Sequence, residues 1–135
     1  MSDEGGVVRA LVAGHGDFAA GLVSAVSQIT GLGGAFVTLS NRDMSAADVE
    51  RAMREHVDAG ALEVIFSDLP AGSCTMAARR LQRERPAVVV VTGTNLATLL
   101  DFVFHADIPP AAAAQHAVEK GRAALVVTGG PPGGH

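Results

Sequence analysis

Short runs of β-branched residues alternate along this chain with segments whose apolar residues recur at helical spacing. Four runs end in glycine or polar corners and are predicted as strands: VVRALVAG (7–14), AFVTLS (35–40), LEVIFSD (62–68) and AVVVVTG (87–93). A strand that returns parallel to its predecessor needs a crossover, usually a right-handed one through a helix. The alternation therefore predicts an α/β fold, with a doubly wound, mostly parallel sheet and helices on both of its faces.

The segments between the predicted strands carry helix signals. The first has apolar residues at i, i+4 and i+7: Leu22, Val26 and Ile29. In the second, Ser45 precedes Asp48 by three residues, as in a helix cap, and Gly60 offers the left-handed residue that ends many helices. Further helices are predicted to start near Ser73, near Asn95 and after the Pro109-Pro110 pair.

The order of the strands decides where a site lies in such a fold. Ligands bind beyond the carboxyl ends of the strands, at the point where the strand order reverses. For the order 2-1-3-4 that point falls between strands 1 and 3, which end at His15 and Asp68. The topology therefore predicts that these two side chains meet in one crevice.

A histidine lies between two glycines in the stretch GHGDFAAGL, which begins at Gly14. Gly14 and Gly16 permit a tight turn and leave one face of the His15 ring uncrowded. A carboxylate that accepts the proton of one ring nitrogen leaves the lone pair on the other. With Asp68 in that role, His15 has the features of a nucleophile beside its orienting group. The alternative is a turn histidine and a loop-forming aspartate without chemistry.

The segment DLPAGSCTMAARRL, which follows strand 3, offers a binding place for an anion. Gly72 and Ser73 lead into a predicted helix whose first N–H groups, together with the Ser73 hydroxyl, can bind a phosphoryl group. Ser73 could also serve as a plain helix cap. An imidazole lone pair beside such a helix start suggests a phosphohistidine. The sequence has no Walker loop and no GxGxxG motif, so a nucleotide donor is not supported.

The sequence indicates no second functional site among the other histidines or the cysteine. His56 and His105 are predicted at the far ends of helices two and four, and no histidine pair has metal-ligand spacing. We therefore expect neither a metal nor a cofactor. Cys74 begins the third helix, where a thiol pKa can be lowered, but filling a small space is the favoured role.

Composition limits the class of protein. The chain has 135 residues, 48% of them apolar, which suits one domain, predicted over 7–128 with flexible segments at 1–6 and 129–135. A net charge of −4, without Tyr or Trp, argues against a nucleic-acid surface. A single cysteine and the lack of a long apolar run indicate a cytoplasmic protein.

The last apolar run, RAALVVTG (122–129), is predicted as a fifth strand. It follows an Ala-rich helix and has no obvious strand partner in its own chain. A bare edge strand invites pairing with another chain. The run therefore predicts a homodimer.

Three segments resemble the signature segments of the enzyme IIA component of the mannose/fructose/N-acetylgalactosamine class of the bacterial sugar phosphotransferase system (PTS): GHGDFAAGLVSAVSQITG, FSDLPAGSCTMAARRL and VVTGTNLATLLDF. The similarity covers roughly residues 7–128 in element order, and the three segments together are more specific than any one of them. The sequence has Cys74 and Ala97 where the family usually has proline. Both positions begin a helix, so these departures affect helix starts more than chemistry.

The resemblance implies a cytoplasmic phosphoryl carrier. The family's histidine falls on His15; it takes a phosphoryl group from the phosphocarrier protein HPr and passes it to a IIB subunit, which serves the membrane subunits IIC and IID. The family's aspartate falls on Asp68. The resemblance also implies a homodimer in which the last strand joins the partner's sheet antiparallel. The alternatives are the phosphocarrier part of a dihydroxyacetone kinase system, a non-catalytic anion-binding module and, as the weakest, a hydrolase.

Overall fold

Strands and helices alternate along the chain, as the sequence pattern predicts. The computed structural model describes residues 7–132; the predicted flexible segment 1–6 and the last three residues of the predicted tail lie outside them. The elements are β1 (Ala10–Gly14), α1 (Phe18–Thr30), a 3₁₀ turn (Gly33–Ala35), β2 (Phe36–Ser40), α2 (Ala46–Gly60), β3 (Val64–Ser67), α3 (Ser73–Glu84), β4 (Val89–Val91), α4 (Leu96–Val103) and α5 (Pro110–Ala123).

The four strands form one sheet in the order β2-β1-β3-β4, and every neighbouring pair is parallel. Leu11 of β1 is in register with Val37 of β2 and Ile65 of β3, and Val64 is in register with Val89 of β4. The predicted order is confirmed, and with it the reversal between β1 and β3. Each strand is shorter than predicted, although single backbone hydrogen bonds continue past the ladder, as from the Arg9 N–H to the carbonyl of Ala35 at 2.7 Å.

Alternate side chains of the strands enter two separate cores. Val12 and Phe66 belong to a core that α1, α4 and α5 complete, where the rings of Phe66 and Phe102 meet edge to face with centroids 5.1 Å apart. Leu11 and Ile65 belong to a second core, completed by α2 and α3. Both faces of the sheet are therefore covered, which confirms the doubly wound α/β fold.

Helix α1 forms where predicted, but its buried face is centred elsewhere. Ala19 and Val26 are buried, and Leu22 packs against the first core. Ile29 is 59% exposed. The apolar stripe therefore begins at Ala19, one turn earlier than the predicted spacing placed it.

A capping box starts α2 as predicted. Ser45 Oγ accepts the backbone N–H of Asp48 at 3.1 Å, and the Asp48 carboxylate accepts the N–H of Ser45 at 3.2 Å. The end of α2 differs by one position, because Gly60 is still helical and the left-handed residue is Ala61 with φ 50°. Asn95 caps α4 with its side chain, also as predicted.

The predicted fifth strand is wrong for the single chain. Arg122 and Ala123 complete α5, which extends two residues into the predicted strand because its Ala-rich sequence favours helix. The apolar residues that follow have no strand partner in the described part of the chain and are largely exposed: Leu125 (84%), Val126 (75%) and Val127 (91%). Within residues 7–132, no helix has the length and apolarity needed to cross a membrane.

Candidate functional site

His15 and Asp68 meet beyond the carboxyl ends of β1 and β3, where the strand order reverses. One carboxylate oxygen, Asp68 Oδ2, lies 2.7 Å from His15 Nδ1 and also accepts the backbone N–H of His15 at 2.9 Å. The imidazole is 53% exposed, whereas the Asp68 side chain is only 10% exposed. A largely buried carboxylate thus holds an accessible ring by two hydrogen bonds.

The glycine that ends β1 permits this close approach. A Cβ on Gly14 would lie 3.0 Å from the Asp68 carboxylate and 2.6 Å from the Phe18 ring. Gly16, on the other side of His15, adopts φ +53°, in the left-handed region. The predicted tight turn around His15 therefore forms, and its first glycine is required by the contact with Asp68.

The environment keeps Asp68 ionised. Burial acts to raise the pKa of Asp68, but the hydrogen bonds from the His15 ring and the His15 backbone outweigh it, so this pKa is lowered. A charged carboxylate accepts the Nδ1 proton of a neutral imidazole. In that tautomer Nε2 carries the free lone pair, which is the arrangement of a nucleophile.

Helix α3 starts beside the ring. Gly72 is its N-cap, with φ +116°, and a Cβ there would lie 3.3 Å from His15 Cε1. The prediction that Ser73 caps the helix is wrong, because Ser73 is the first helical residue and no side chain caps α3. The first N–H groups of the helix are thus left for an anion.

The Ser73 hydroxyl has a partner that sequence analysis missed. Asn41 Nδ2 donates to Ser73 Oγ at 2.9 Å, and the backbone N–H of Asn41 donates to the carbonyl of Gly14 at 3.2 Å. Since Ser73 Oγ accepts this bond, its own proton remains free for a ligand. The signal lay in the topology: β2 neighbours β1, so the residue after β2 reaches the same edge.

A cation also lies beside the histidine turn. Arg42 donates to Asp17 Oδ1 at 3.0 Å, and its guanidinium would be 3.5 Å from a Cβ on Gly16. Both side chains of the pair are mostly exposed, so the ion pair itself is weak. The pair places the Arg42 guanidinium beside Gly16, next to His15 in the chain.

Buried hydroxyls brace the loop between β3 and α3. Thr75 donates to the carbonyl of Leu69 at 2.6 Å, and its Oγ1 lies 2.6 Å from Ser67 Oγ. Ser67 and Thr75 are fully buried. These buried hydrogen bonds therefore hold the loop that carries Asp68 in place.

Cys74 lies in the second core and does not face the site. Burial, together with the charge of Asp68, raises the pKa of its thiol to about 11. The alternative of a lowered thiol pKa is therefore wrong, and the packing role is confirmed.

A second cluster occurs at the other end of the sheet. His105 follows α4, and its carbonyl accepts a hydrogen bond from Arg9, which precedes β1. His105, His116 and Asp101 bring one nitrogen or oxygen each to within 4.8 Å of one another. Spacing along the sequence did not indicate this cluster, because α5 folds back on α4 and joins residues that are separated by a loop.

Comparison with protein families gives a match over most of the chain. The model of the EIIA-man family, described as PTS system fructose IIA component, matches residues 9–120. Curated proteins gave no match.

Several solved structures with the same fold are described as PTS components. Phosphotransferase system component EIIA from Streptococcus agalactiae has a TM-score of 0.80 and 20% identity, covering 90% of this chain and 97% of that chain. The mannose/sorbose specific IIA subunit from Enterococcus faecalis has a TM-score of 0.77 and 19% identity, covering 93% and 97%. The PTS IIA protein associated with the fucose utilization operon from Streptococcus pneumoniae has a TM-score of 0.76 and 22% identity, covering 90% and 93%. At these identities the likeness establishes the fold.

Proposed function

The chain belongs to the EIIA-man family of PTS fructose IIA components, and we propose that it is a cytoplasmic phosphotransferase that carries a phosphoryl group on His15. In this proposal HPr is the donor and a PTS IIB subunit is the acceptor. The observation that carries it is the 2.7 Å contact between His15 Nδ1 and the ionised Asp68, with the ring exposed beside the uncapped start of α3.

The transfer forms one P–N bond and breaks another. The lone pair on His15 Nε2 attacks the phosphorus of the phosphorylated histidine of HPr; the donor's P–N bond breaks, and its electron pair returns to the donor imidazole. His15 keeps its Nδ1 proton, so its ring becomes positive, and Asp68 stabilises this charge. Transfer to the acceptor runs the same step in the opposite direction, with a nucleophile of IIB attacking the phosphorus.

The phosphoryl oxygens need donors that do not react. We propose that the first N–H groups of α3 and the Ser73 hydroxyl, held by Asn41, bind them in both transfers. Gly72 leaves room for the phosphoryl group to approach, because a Cβ at this position would press on the His15 ring. Catalysis of phosphoryl transfer rests mostly on positioning and on stabilisation of charge, so no metal or other cofactor is required in this proposal.

The assembly proposed for this carrier is a homodimer. β4 is an edge strand, and a pocket beside it is lined by β4 and by α5: Val89, Val90, Val91, Thr92, Ala114, Gln115, Val118, Glu119 and Arg122. The exposed apolar residues 125–127 lack a partner strand in the described chain. We propose that this tail pairs antiparallel with β4 of a second copy, which would cover both surfaces.

The test is incubation with enzyme I, HPr and phosphoenolpyruvate, followed by intact mass measurement. We expect a mass gain of one phosphoryl group per chain, stable to alkali and lost in acid. His15→Ala should not gain this mass, whereas His56→Ala, a histidine away from the site on α2, should. Label on another histidine or on Ser73, or unchanged labelling of His15→Ala, would refute the proposal.

Acceptor choice separates the related functions. A purified IIB subunit should remove the group from phosphorylated protein. Removal only by dihydroxyacetone kinase subunits would assign the chain to that system instead. If radiolabelled phosphate is lost on denaturation at alkaline pH, binding is non-covalent and the chain is an anion-binding module.

A further inference from the structure

We propose a binding site for a divalent transition-metal ion, of the zinc class, formed by Asp101, His105 and His116. These residues lie on α4, just after α4 and on α5, at the opposite end of the sheet from His15. One donor atom from each residue lies within 4.8 Å of the other two. The proposal does not depend on the phosphoryl carrier function, since no residue is shared with that site.

The distances are close to those that a tetrahedral ion imposes. Asp101 Oδ2 lies 3.5 Å from His105 Nδ1 and 2.7 Å from His116 Nδ1. Ligands bound at about 2.0–2.1 Å in tetrahedral geometry lie roughly 3.3 Å apart. The distance from Asp101 to His105 already suits a shared ion. The distance from Asp101 to His116 would lengthen by about half an ångström when the ion replaces their hydrogen bond.

Each histidine must offer a lone pair. His105 Nδ1 lies 2.8 Å from the carbonyl of Asp101, which can only accept, so this nitrogen carries the ring proton. An ion bound at His105 Nδ1 replaces that hydrogen bond, and the neutral ring then keeps its single proton on Nε2. His116 Nδ1 likewise exchanges its bond to Asp101 for the ion, with Asp101 remaining a charged ligand.

The cluster is held in place before an ion arrives. Asp101 lies in the last turn of α4, and the turn that follows brings His105 Nδ1 to within 2.8 Å of the Asp101 carbonyl and 3.5 Å of its Oδ2. Arg9 donates to the carbonyls of His105 and Ile108, which fixes the loop between α4 and α5. The rings of His105 and His116 already lie against each other, with centroids 4.2 Å apart.

Access and donor chemistry favour a transition metal. The side chains of Asp101, His105 and His116 are 12%, 32% and 47% exposed, so an ion can enter from solvent and water can complete its coordination. Two imidazole nitrogens and one carboxylate oxygen match zinc sites with three protein ligands. Magnesium and calcium prefer sets composed of oxygen ligands and are not expected to bind.

A bound ion would join α4 to α5 across the loop that connects them. Because the ion binds only the folded arrangement, it should raise the Tm of the protein. The apolar tail follows α5 directly, so the ion would also hold the helix from which that tail emerges.

The experiment is calorimetric titration of zinc chloride into the full chain after removal of metals with a chelator. We expect one high-affinity zinc ion per chain and a rise in Tm. The variants Asp101→Asn and His116→Gln should each weaken binding by at least ~100-fold, because loss of an outer-shell partner alone costs about 10–100-fold. Cobalt should give the visible bands of a tetrahedral site, and His116→Gln should lose them.

Matched controls locate the ion. His56→Gln and His15→Gln should bind zinc as the wild type does, and circular dichroism should show that all variants are folded. The proposal is overturned if the wild type binds no zinc, if the double variant Asp101→Asn/His116→Gln binds it unchanged, or if binding is lost in His15→Gln.

Discussion

Replacing Asp68 with Asn removes a charge beside His15 and little else. The side chain keeps its size, and an amide oxygen in the place of Oδ2 can still accept the two N–H groups that His15 donates. What is lost is the negative charge that faces the ring when the Nε2–P bond forms. We therefore predict slower phosphoryl transfer in a protein that remains folded.

The size of the effect follows from the geometry. Asp68 Oδ2 is 2.7 Å from His15 Nδ1, but the imidazolium charge is shared with the more distant Nε2, so a mean separation of about 4 Å applies. At an effective dielectric constant of about 20, two unit charges at that distance interact by ~4 kcal/mol. If about half the charge has developed in the transition state, the loss is ~2 kcal/mol, or about 30-fold in rate.

The assay is rapid quenching of transfer from phosphorylated HPr, with phosphorylated and free chains counted by intact mass. The matched control is Asp43→Asn, the same chemical change in the turn after β2, where Asp43 has φ 60°, a conformation that asparagine tolerates. The control should transfer at the wild-type rate. An Asp68→Asn protein with native circular dichroism and wild-type transfer would refute the reasoning.

The pH dependence of stability gives a second readout. The pKa of Asp68 is lowered in the folded protein, so its ionised form contributes stability that is fully present above the ordinary carboxyl pKa of about 4. That contribution is lost as pH falls through the lowered value. The difference in free energy of unfolding between wild type and Asp68→Asn should therefore be constant near neutrality and shrink in acid, as measured by urea unfolding.

Other substitutions test single contacts. Gly72→Ala should lower the free energy of unfolding by ~1–3 kcal/mol and slow transfer, because alanine is strained at φ +116° and its Cβ presses on the His15 ring; urea unfolding and quenched transfer measure both. Ser45→Ala should cost ~1 kcal/mol in urea unfolding through loss of the α2 cap. Deletion of residues 124–135 should convert dimers to monomers in light scattering; an unchanged dimer would exclude the tail from the interface. Cys74 should resist alkylation at neutral pH until the protein unfolds, because its thiol is buried with a pKa of about 11.

The strand order and the principal site could be predicted because one physical rule connects them. Alternating strands and helices leave few topologies, and in the order 2-1-3-4 the two central strands end side by side. His15 and Asp68 are the residues at those ends, so their meeting needs no knowledge of side-chain packing. The same rule applies to Asn41, which follows the neighbouring strand β2 and whose amide therefore reaches the same edge.

The cluster of Asp101, His105 and His116 lay beyond this rule because it depends on how two helices pack. The spacing of His105 and His116 along the chain resembles no known ligand motif, and they meet because α5 turns back on α4 after the Pro109-Pro110 pair. The angle of that turn is set by tertiary contacts such as the hydrogen bonds of Arg9 to the intervening loop. The prediction of a fifth strand at 122–129 was wrong for a related reason. A strand forms only beside a neighbouring strand, so an apolar run alone could not distinguish a fifth strand from the end of α5. A helix makes its backbone hydrogen bonds within one segment, so a local sequence pattern can predict it. A strand makes them to another strand, which is why the helices were predicted more closely than the last strand.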